Sequence, residues 1–318
     1  MGGDHGPSVV VGGVKDYLSR HDGEGVRFLL HGDEAAIRAE MARCALTDAV
    51  CDVRHTDKVV AMDEKPAQAM RRGKGSSLWN AIEAVKSGEA GAAVSAGNTG
   101  ALMAISKLLL RMAAPGLERP AIVASWPTTR GYTAVLDVGA NIGSDAKQLI
   151  EFAIMGEAFA KAVLGLPAPT IGLLNVGSEE LKGDERLRQA AEVLRNSSLA
   201  RQFHGFVEGH DITAGTTDVV VTDGFTGNVA LKTGEGALKM AFTLLRQVFT
   251  SSLLGRIGYL LVRPGLERMK EWLDPRRYNG AVFVGLNGVV VKSHGGTDAE
   301  GFAAAVDVAM DMVTHRFT

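Results

Sequence analysis

The chain has 318 residues, 46% hydrophobic and 22% charged, with a mean hydropathy of +0.08, so it can bury a full core and is not a disordered chain. Its 34 lysines and arginines stand against 36 acidic residues, a formal charge of -2, and no chain-wide field would hold nucleic acid. Two cysteines, Cys44 and Cys51, are too few for a disulfide framework or a cysteine-rich zinc site. No apolar run reaches the roughly 18 residues of a spanning helix, and the N-terminus opens on Gly2, Gly3 and Asp4 instead of a basic and then apolar signal. A reducing cytoplasm is the expected compartment.

In chain order, short aliphatic runs and stretches of helical spacing predict a strand at Val26–Leu30, a strand at Ala92–Ser95, a helix at Ala101–Met112 and strands at Ala121–Ala124 and Ala134–Asp137. They continue with a helix at Ala146–Leu164, a strand at Thr170–Asn175, a helix at Leu181–Leu194 and a strand at Asp218–Thr222. A helix at Asn228–Phe249, strands at Ala281–Leu286 and Val289–Lys292 and a helix at Ala299–Met312 complete the pattern. Near-continuous apolar strands of this kind imply a sheet covered on both faces, an α/β fold. Residues 255–278 break the rhythm with Gly258, Pro264, Gly265 and Pro275 and read as an excursion from the sheet. The expected organisation is one domain over 1–318, with 237–278 as a helical excursion.

The chain lacks G-x-G-x-x-G, G-x-x-x-x-G-K-[ST], H-E-x-x-H and G-x-S-x-G, the usual signs of dinucleotide, nucleoside-triphosphate, zinc-peptidase and serine-hydrolase sites. It carries instead five glycine-rich clusters: Met1-Gly-Gly-Asp-His-Gly-Pro7, Ser95-Ala-Gly-Asn-Thr-Gly100, Asp137-Val-Gly-Ala-Asn141, Asn175-Val-Gly-Ser-Glu-Glu180 with Lys182-Gly183, and Asp223-Gly-Phe-Thr-Gly-Asn228. Most stand where a strand gives way to a helix, the edge at which open α/β sheets bind ligands. Ser95–Gly100 precedes a long helix, so its amides and the Thr99 hydroxyl suit an anion with the helix dipole behind them. Asn98 or Thr99 is equally suited to capping that helix.

These clusters in this order closely resemble the phosphate acyltransferases of bacterial phospholipid synthesis, the PlsX family. The resemblance runs from Met1 to Met312 and includes Glu208-Gly-His-Asp211 and Asn279-Gly-Ala281 through Lys292-Ser-His-Gly295. It implies transfer of a long acyl group from acyl carrier protein to inorganic phosphate, giving acyl phosphate. It also implies a three-layer α/β/α fold with a mostly parallel sheet, like phosphotransacetylases and the isocitrate and isopropylmalate dehydrogenases, assembled as a homodimer. Family members usually carry about one more strand ahead of the Met-Gly-Gly-Asp-His-Gly motif. Without it a parallel sheet would be short by one ladder, and Asp4 and His5 would be less firmly placed.

Phosphate attack on a thioester needs donors for the nucleophile and donors aimed at the developing oxyanion, with no covalent enzyme intermediate. Cys44 and Cys51, with no companion histidine motif, read as packing residues. The expected catalytic residues are Asn98, Asn175, Lys182 and Asn228. Ser95, Gly97, Thr99, Gly100, Asn141, Ser178, Lys292, His294, Asp4 and His5 are expected to bind phosphate or substrate. Asp137, Glu180, Glu208 and Asp223 orient donors or serve in proton transfer, although carboxylates beside phosphate repel it. No metal and no cofactor is expected, since the eight histidines are dispersed.

Between 237 and 278, Lys239, Arg246, Arg256, Arg263, Arg268, Lys270, Arg276 and Arg277 face only Glu267, Glu271 and Asp274. Leu253, Leu254, Ile257, Tyr259 and Leu260 lie among them, a composition suited to a dimer core or to an amphipathic element on anionic lipid. The family resemblance implies both, with a tip that touches the inner face of the cell membrane; the basic residues also suit acidic acyl carrier protein. Two other readings stay open: a phosphotransacetylase-like enzyme using short acyl-CoA, and a non-catalytic membrane-associated scaffold. A decarboxylating dehydrogenase lacks support, having neither a cofactor fingerprint nor clustered carboxylates.

Overall fold

The computed structural model describes residues 2–21, 25–274, 276 and 279–315. Met1, Pro275, Arg277 and Tyr278 of the sequence reading lie outside them. The N-terminal part contains α1 (Pro7–Arg20), β1 (Phe28–Gly32), α2 (Glu34–Cys44), β2 (Cys51–His55), α3 (Pro66–Arg72) and α4 (Ser77–Lys86). The middle holds β3 (Ala92–Ser95), α5 (Thr99–Leu110), β4 (Ala121–Thr128), β5 (Gly131–Leu136), α6 (Ala146–Ala162) and β6 (Ile171–Leu174). Then follow α7 (Glu185–Arg195), β7 (Phe203–Val207), α8 (Gly209–Ala214), β8 (Val219–Val221), α9 (Gly224–Thr250), α10 (Leu253–Trp272), β9 (Ala281–Val284), β10 (Val289–Lys292) and α11 (Ala299–Thr314).

Eight strands form one sheet in the order β3-β10-β9-β4-β5-β8-β6-β7. The pairs β3/β10, β5/β8, β8/β6 and β6/β7 are parallel, while β10/β9, β9/β4 and β4/β5 are antiparallel. One face is covered by α6, α7 and α11 through Phe152, Phe159, Leu194 and Met312. The other is covered by α3, α4, α5 and α8 through Ala69, Ile82, Leu102, Ile105 and Ile212. Strands buried on both faces must be apolar throughout, which is why β6, β8 and β10 read so clearly in the sequence.

The parallel pair β1/β2 stands apart as a second sheet. A cleft lined by Leu29, Leu30 and His31 on one side and Val94, Ser95 and Ala96 on the other separates β1 from β3. The parallel ladder is thus interrupted beside the strand that carries Ser95.

Two helix starts differ from expectation by about a full turn. The helix expected from Asn228 begins at Gly224, because Asp223 accepts from the amides of Phe225 and Thr226 and caps it. The helix expected from Leu181 begins at Glu185, capped by Asp184, so Lys182 lies on a loop. The segment expected as a helical excursion, 237–278, contains the end of α9 and the helix α10, which runs through Gly255, Gly258 and Pro264.

Candidate active site

The loops after β3 and β10 lie side by side, since Ser293 N–H donates to Ser95 O at 2.9 Å and Asp4 N–H to Gly295 O at 3.0 Å. Ser95 Oγ accepts from Gly97 N–H at 3.1 Å, which tightens the turn into α5. Asn98 caps that helix, its Oδ1 accepting from Ala101 N–H at 3.0 Å. Its Nδ2 reaches Ala61 O, Met62 O and Glu64 O at 3.1, 2.9 and 2.8 Å. The amide of Asn98 is therefore committed inside the protein, and the capping alternative describes its role. Gly100 admits Pro66 closely, for a Cβ there would lie 2.7 Å from Pro66 Cγ.

Helix electrostatics select this end of the sheet. The N-termini of α2, α6, α7, α9 and α11 are capped by Asp33, Asp145, Asp184, Asp223 and Asp298. Each cap already places a carboxylate against the helix dipole and repels a second anion. The cap of α5 is a neutral amide, and Thr99 and Gly100 behind it are partly exposed. Of the described helices that follow the matched clusters, α5 and α1 are the two whose N-terminal dipoles are not already met by a capping carboxylate, α1 starting after Gly6 with no side-chain cap. The segment ahead of α1 packs on the loop ahead of α5, for a Cβ at Gly2 would lie 2.7 Å from Gly97 Cα.

Lys292 stands beneath this loop, its Nζ donating to Ala96 O at 3.4 Å and to Ser293 O. Burial pushes its ammonium down to about 8, against a partial restoring pull from Asp4 and a further push from Lys232. His294 is exposed, yet partial desolvation and the nearby Lys232 hold its pKa below the usual imidazole value. Its Nδ1 accepts from Gly296 N–H at 3.3 Å. Asp4 and His5 are exposed. His5 O accepts from Ser8 Oγ.

A second group gathers at the ends of β5, β6 and β8. The buried Asp137 carboxylate accepts from the amides of Ile122, Gly139, Ala140 and Asn141 and from Asn141 Nδ2. Burial raises its pKa and these donors oppose the rise. Asn141 also donates to Pro120 O at 2.9 Å, and Asn175 donates to Gly177 O and Lys182 O at 3.0 and 3.1 Å. Both asparagines therefore hold loops. Lys182 and Ser178 are exposed, with Lys182 ion-paired to Glu179 at 3.7 Å. No described contact joins Lys182 to the loop after β3.

The helix α9 bridges the two groups. At Gly139 a Cβ would lie 3.7 Å from Asn228 Cβ, and one turn later Lys232 Nζ stands 3.2 Å from His294 Nε2. Four residues of α-helix advance about 6 Å, so one face of α9 touches both clusters. Asn228 is exposed and its side chain has no hydrogen bond among the described residues. Lys232 escaped the sequence reading because it lies outside every glycine cluster; its spacing of four from Asn228 was the available signal.

Further along, α10 exposes the residues expected to face a membrane or partner. Leu253, Leu254 and Leu260 are 74%, 81% and 66% exposed, as are Arg256, Ile257, Tyr259 and Arg263 in lesser or similar degree. Phe249 of α9 packs on Tyr259 at 5.6 Å between ring centroids. Arg263 pairs with Glu267 at 2.7 Å, and Arg276 is neutralised by Asp274, Asp298 and Glu300. Among the described residues no group of three or more histidine, cysteine or acidic side chains gathers to hold a metal, and no helix is long and apolar enough to cross a membrane.

Two predictions follow from this geometry. Asn98→Ala removes a cap worth about 1 kcal/mol and two amide N–H donors, shared among three carbonyls and worth about 0.5–1.5 kcal/mol each. Urea unfolding is expected to show a loss of about 2–4 kcal/mol, and a loss below about 0.5 kcal/mol would remove Asn98 from this structural role. Lys292 has a native pKa of about 8 against 10.5 for the free side chain. Between those values the unfolded chain binds more protons, so stability rises with pH. Urea titrations are expected to show this rise, of the order of 1–3 kcal/mol, flattened in Lys292→Met; identical slopes would contradict it.

Comparison with known proteins gives the family and the fold. The model of a family described as "Fatty acid synthesis protein" matches residues 1–318. A phosphate acyltransferase of Gluconacetobacter diazotrophicus is 69% identical over 317 residues, covering 100% of this chain and 84% of the relative. One of Caulobacter vibrioides is 61% identical, covering 100% and 87%. Among solved structures, a phosphotransacetylase from Streptococcus pyogenes superposes with a TM-score of 0.63 at 16% identity, covering 97% of this chain and 92% of that one. A branched-chain phosphotransacylase from Enterococcus faecalis gives 0.58 at 16% identity, covering 98% and 96%. The structural likeness establishes the mostly parallel, phosphotransacetylase-like α/β fold, and the sequence identity establishes that this chain belongs to the phosphate acyltransferase family.

Proposed function

We propose that the chain moves a long-chain acyl group from acyl carrier protein to inorganic phosphate, with the phosphate held between the N-terminus of α5 and Lys292. The observation that carries this reading is the neutral cap of α5 beside a half-buried lysine, an anion site at an N-terminus that carries no capping carboxylate. A phosphate oxygen held there attacks the thioester carbonyl, the carbonyl π electrons move to its oxygen, and the C–S bond breaks as the carbonyl re-forms. The thiolate leaves and takes a proton from solvent, so that acyl phosphate and the free carrier thiol result. Asn228, exposed one turn from Lys232, donates to the oxyanion from Nδ2 without transferring a proton. Thr99, Ser95 and the amides of Gly97 and Gly100 form the rim of the phosphate loop, and Asn98 positions it.

Purified protein with palmitoyl-acyl carrier protein and phosphate is expected to form acyl phosphate. Asn228→Ala is expected to lower kcat at least about tenfold, or about 1.4 kcal/mol of transition-state stabilisation, with phosphate KM little changed. Equal rates with acetyl-CoA would favour the short-chain alternative, and an unaffected kcat would remove Asn228 from the reaction.

The exposed apolar faces of α9 and α10 are read as a homodimer contact continuing into a tip that rests on anionic lipid, from which acyl phosphate passes to the membrane. Leu254 and Leu261, 81% and 80% exposed, would enter the headgroup boundary while Arg256 and Arg263 meet lipid phosphates. Cosedimentation with phosphatidylglycerol vesicles is expected to fall at least about threefold in Leu254→Glu/Leu261→Glu. Unchanged binding would contradict the membrane tip.

A further inference from the structure

Lys232 and His294 meet in a way that neither can satisfy alone. His294 Nδ1 accepts from Gly296 N–H, so the proton of the neutral ring resides on Nε2. In that tautomer the Nε2–H faces the Lys232 ammonium across 3.2 Å. In the other the Nδ1–H would face the Gly296 N–H, so the neutral ring opposes a donor either way. A lysine ammonium has three donors and no acceptor, so two donors face one another. Lys292 adds a second ammonium, close enough for its charge to act on the His294 ring and to feel that of Lys232. The acids near this group are Glu235, which pairs with Lys232 at 2.7 Å, and Asp4, which acts on Lys292 and His294. No described ion pair neutralises Lys292.

We infer that Lys232, His294 Nε2 and Lys292 form a three-donor clamp for the phosphate dianion, with Lys232 a substrate-binding residue contributed by α9. An oxygen accepting from both the ammonium and the imidazole N–H resolves their opposition, because both are complementary to an anion and neither to the other. The placement gives α9 a double task. Asn228 faces the acyl carbonyl and Lys232 faces the nucleophile one turn later, about 6 Å along the same helix. That is the separation expected of two groups on either side of a forming O–C bond. Lys232 is half-exposed, its side chain at 47%, so its replacement leaves the core intact.

This inference rests on the reading of the reaction as acyl transfer to phosphate, and two measurements keep the two apart. The first is the phosphate dependence of acyl phosphate formation at saturating palmitoyl-acyl carrier protein. Lys232→Met is expected to raise KM for phosphate about tenfold while KM for the acyl donor stays within about twofold, and Lys232→Arg to recover most of the loss. The second is protection by phosphate alone, read as the rise in melting temperature on adding inorganic phosphate without acyl donor. That rise is expected to shrink in Lys232→Met and in His294→Phe, and to persist in Lys232→Arg. Loss of protection in Lys232→Met from an inactive wild type would uphold the clamp and overturn the reaction. An active enzyme whose phosphate KM and phosphate protection are untouched in Lys232→Met would overturn the clamp.

Discussion

Three backbone carbonyls, those of Ala61, Met62 and Glu64, converge on the side-chain nitrogen of Asn98. The proposed phosphate site depends on this contact. It fixes the loop ahead of α3, and Pro66 from that helix packs against Gly100. At the same time Asn98 Oδ1 caps α5 without adding charge. An aspartate at this position would cap the helix as well but would turn a carboxylate toward three carbonyl oxygens and cancel the positive end of the dipole. Structural and electrostatic demands therefore meet in one amide.

From that point the rest of the site is a matter of charge. Lys292 rises from β10 beside β3, where burial weakens its hold on a proton. The first turns of α9 supply the remaining side chains, and they can come so close because Gly224 and Gly227 pass over the end of β5. A Cβ at Gly224 would lie 2.5 Å from Asn141 O, and one at Gly227 would collide with Asp137 O. The five N–H donors around Asp137 hold the loop against which those glycines pack.

Much of the fold was legible because strands buried on both faces announce themselves. Ala92–Ser95 and Val289–Lys292 were located to the residue. β2 was missed because Asp52, Arg54 and His55 make it an exposed edge, and β7 because His204 and Gly205 interrupt it. α1 was hidden by its run of valines and by Gly12 and Gly13, poor helix formers in isolation. Its close packing on α11 requires them: a Cβ at Gly13 would lie 2.8 Å from Phe302 Cδ1. The asparagines show where sequence reasoning stops. Asn98, Asn141, Asn175 and Asn228 look alike as strand-end or helix-start residues, and helix capping, loop bracing and substrate contact ask for the same side chain. Three of them are spent inside the protein and Asn228 is left facing outward.

The central claim is the position of the phosphate, and the most direct test is a crystal structure with tungstate, a tetrahedral dianion that anomalous scattering locates without ambiguity. The account predicts the tungsten peak within contact of the Thr99 and Gly100 amides and Lys292 Nζ. A peak instead on the loop that carries Ser178 and Lys182 would contradict it.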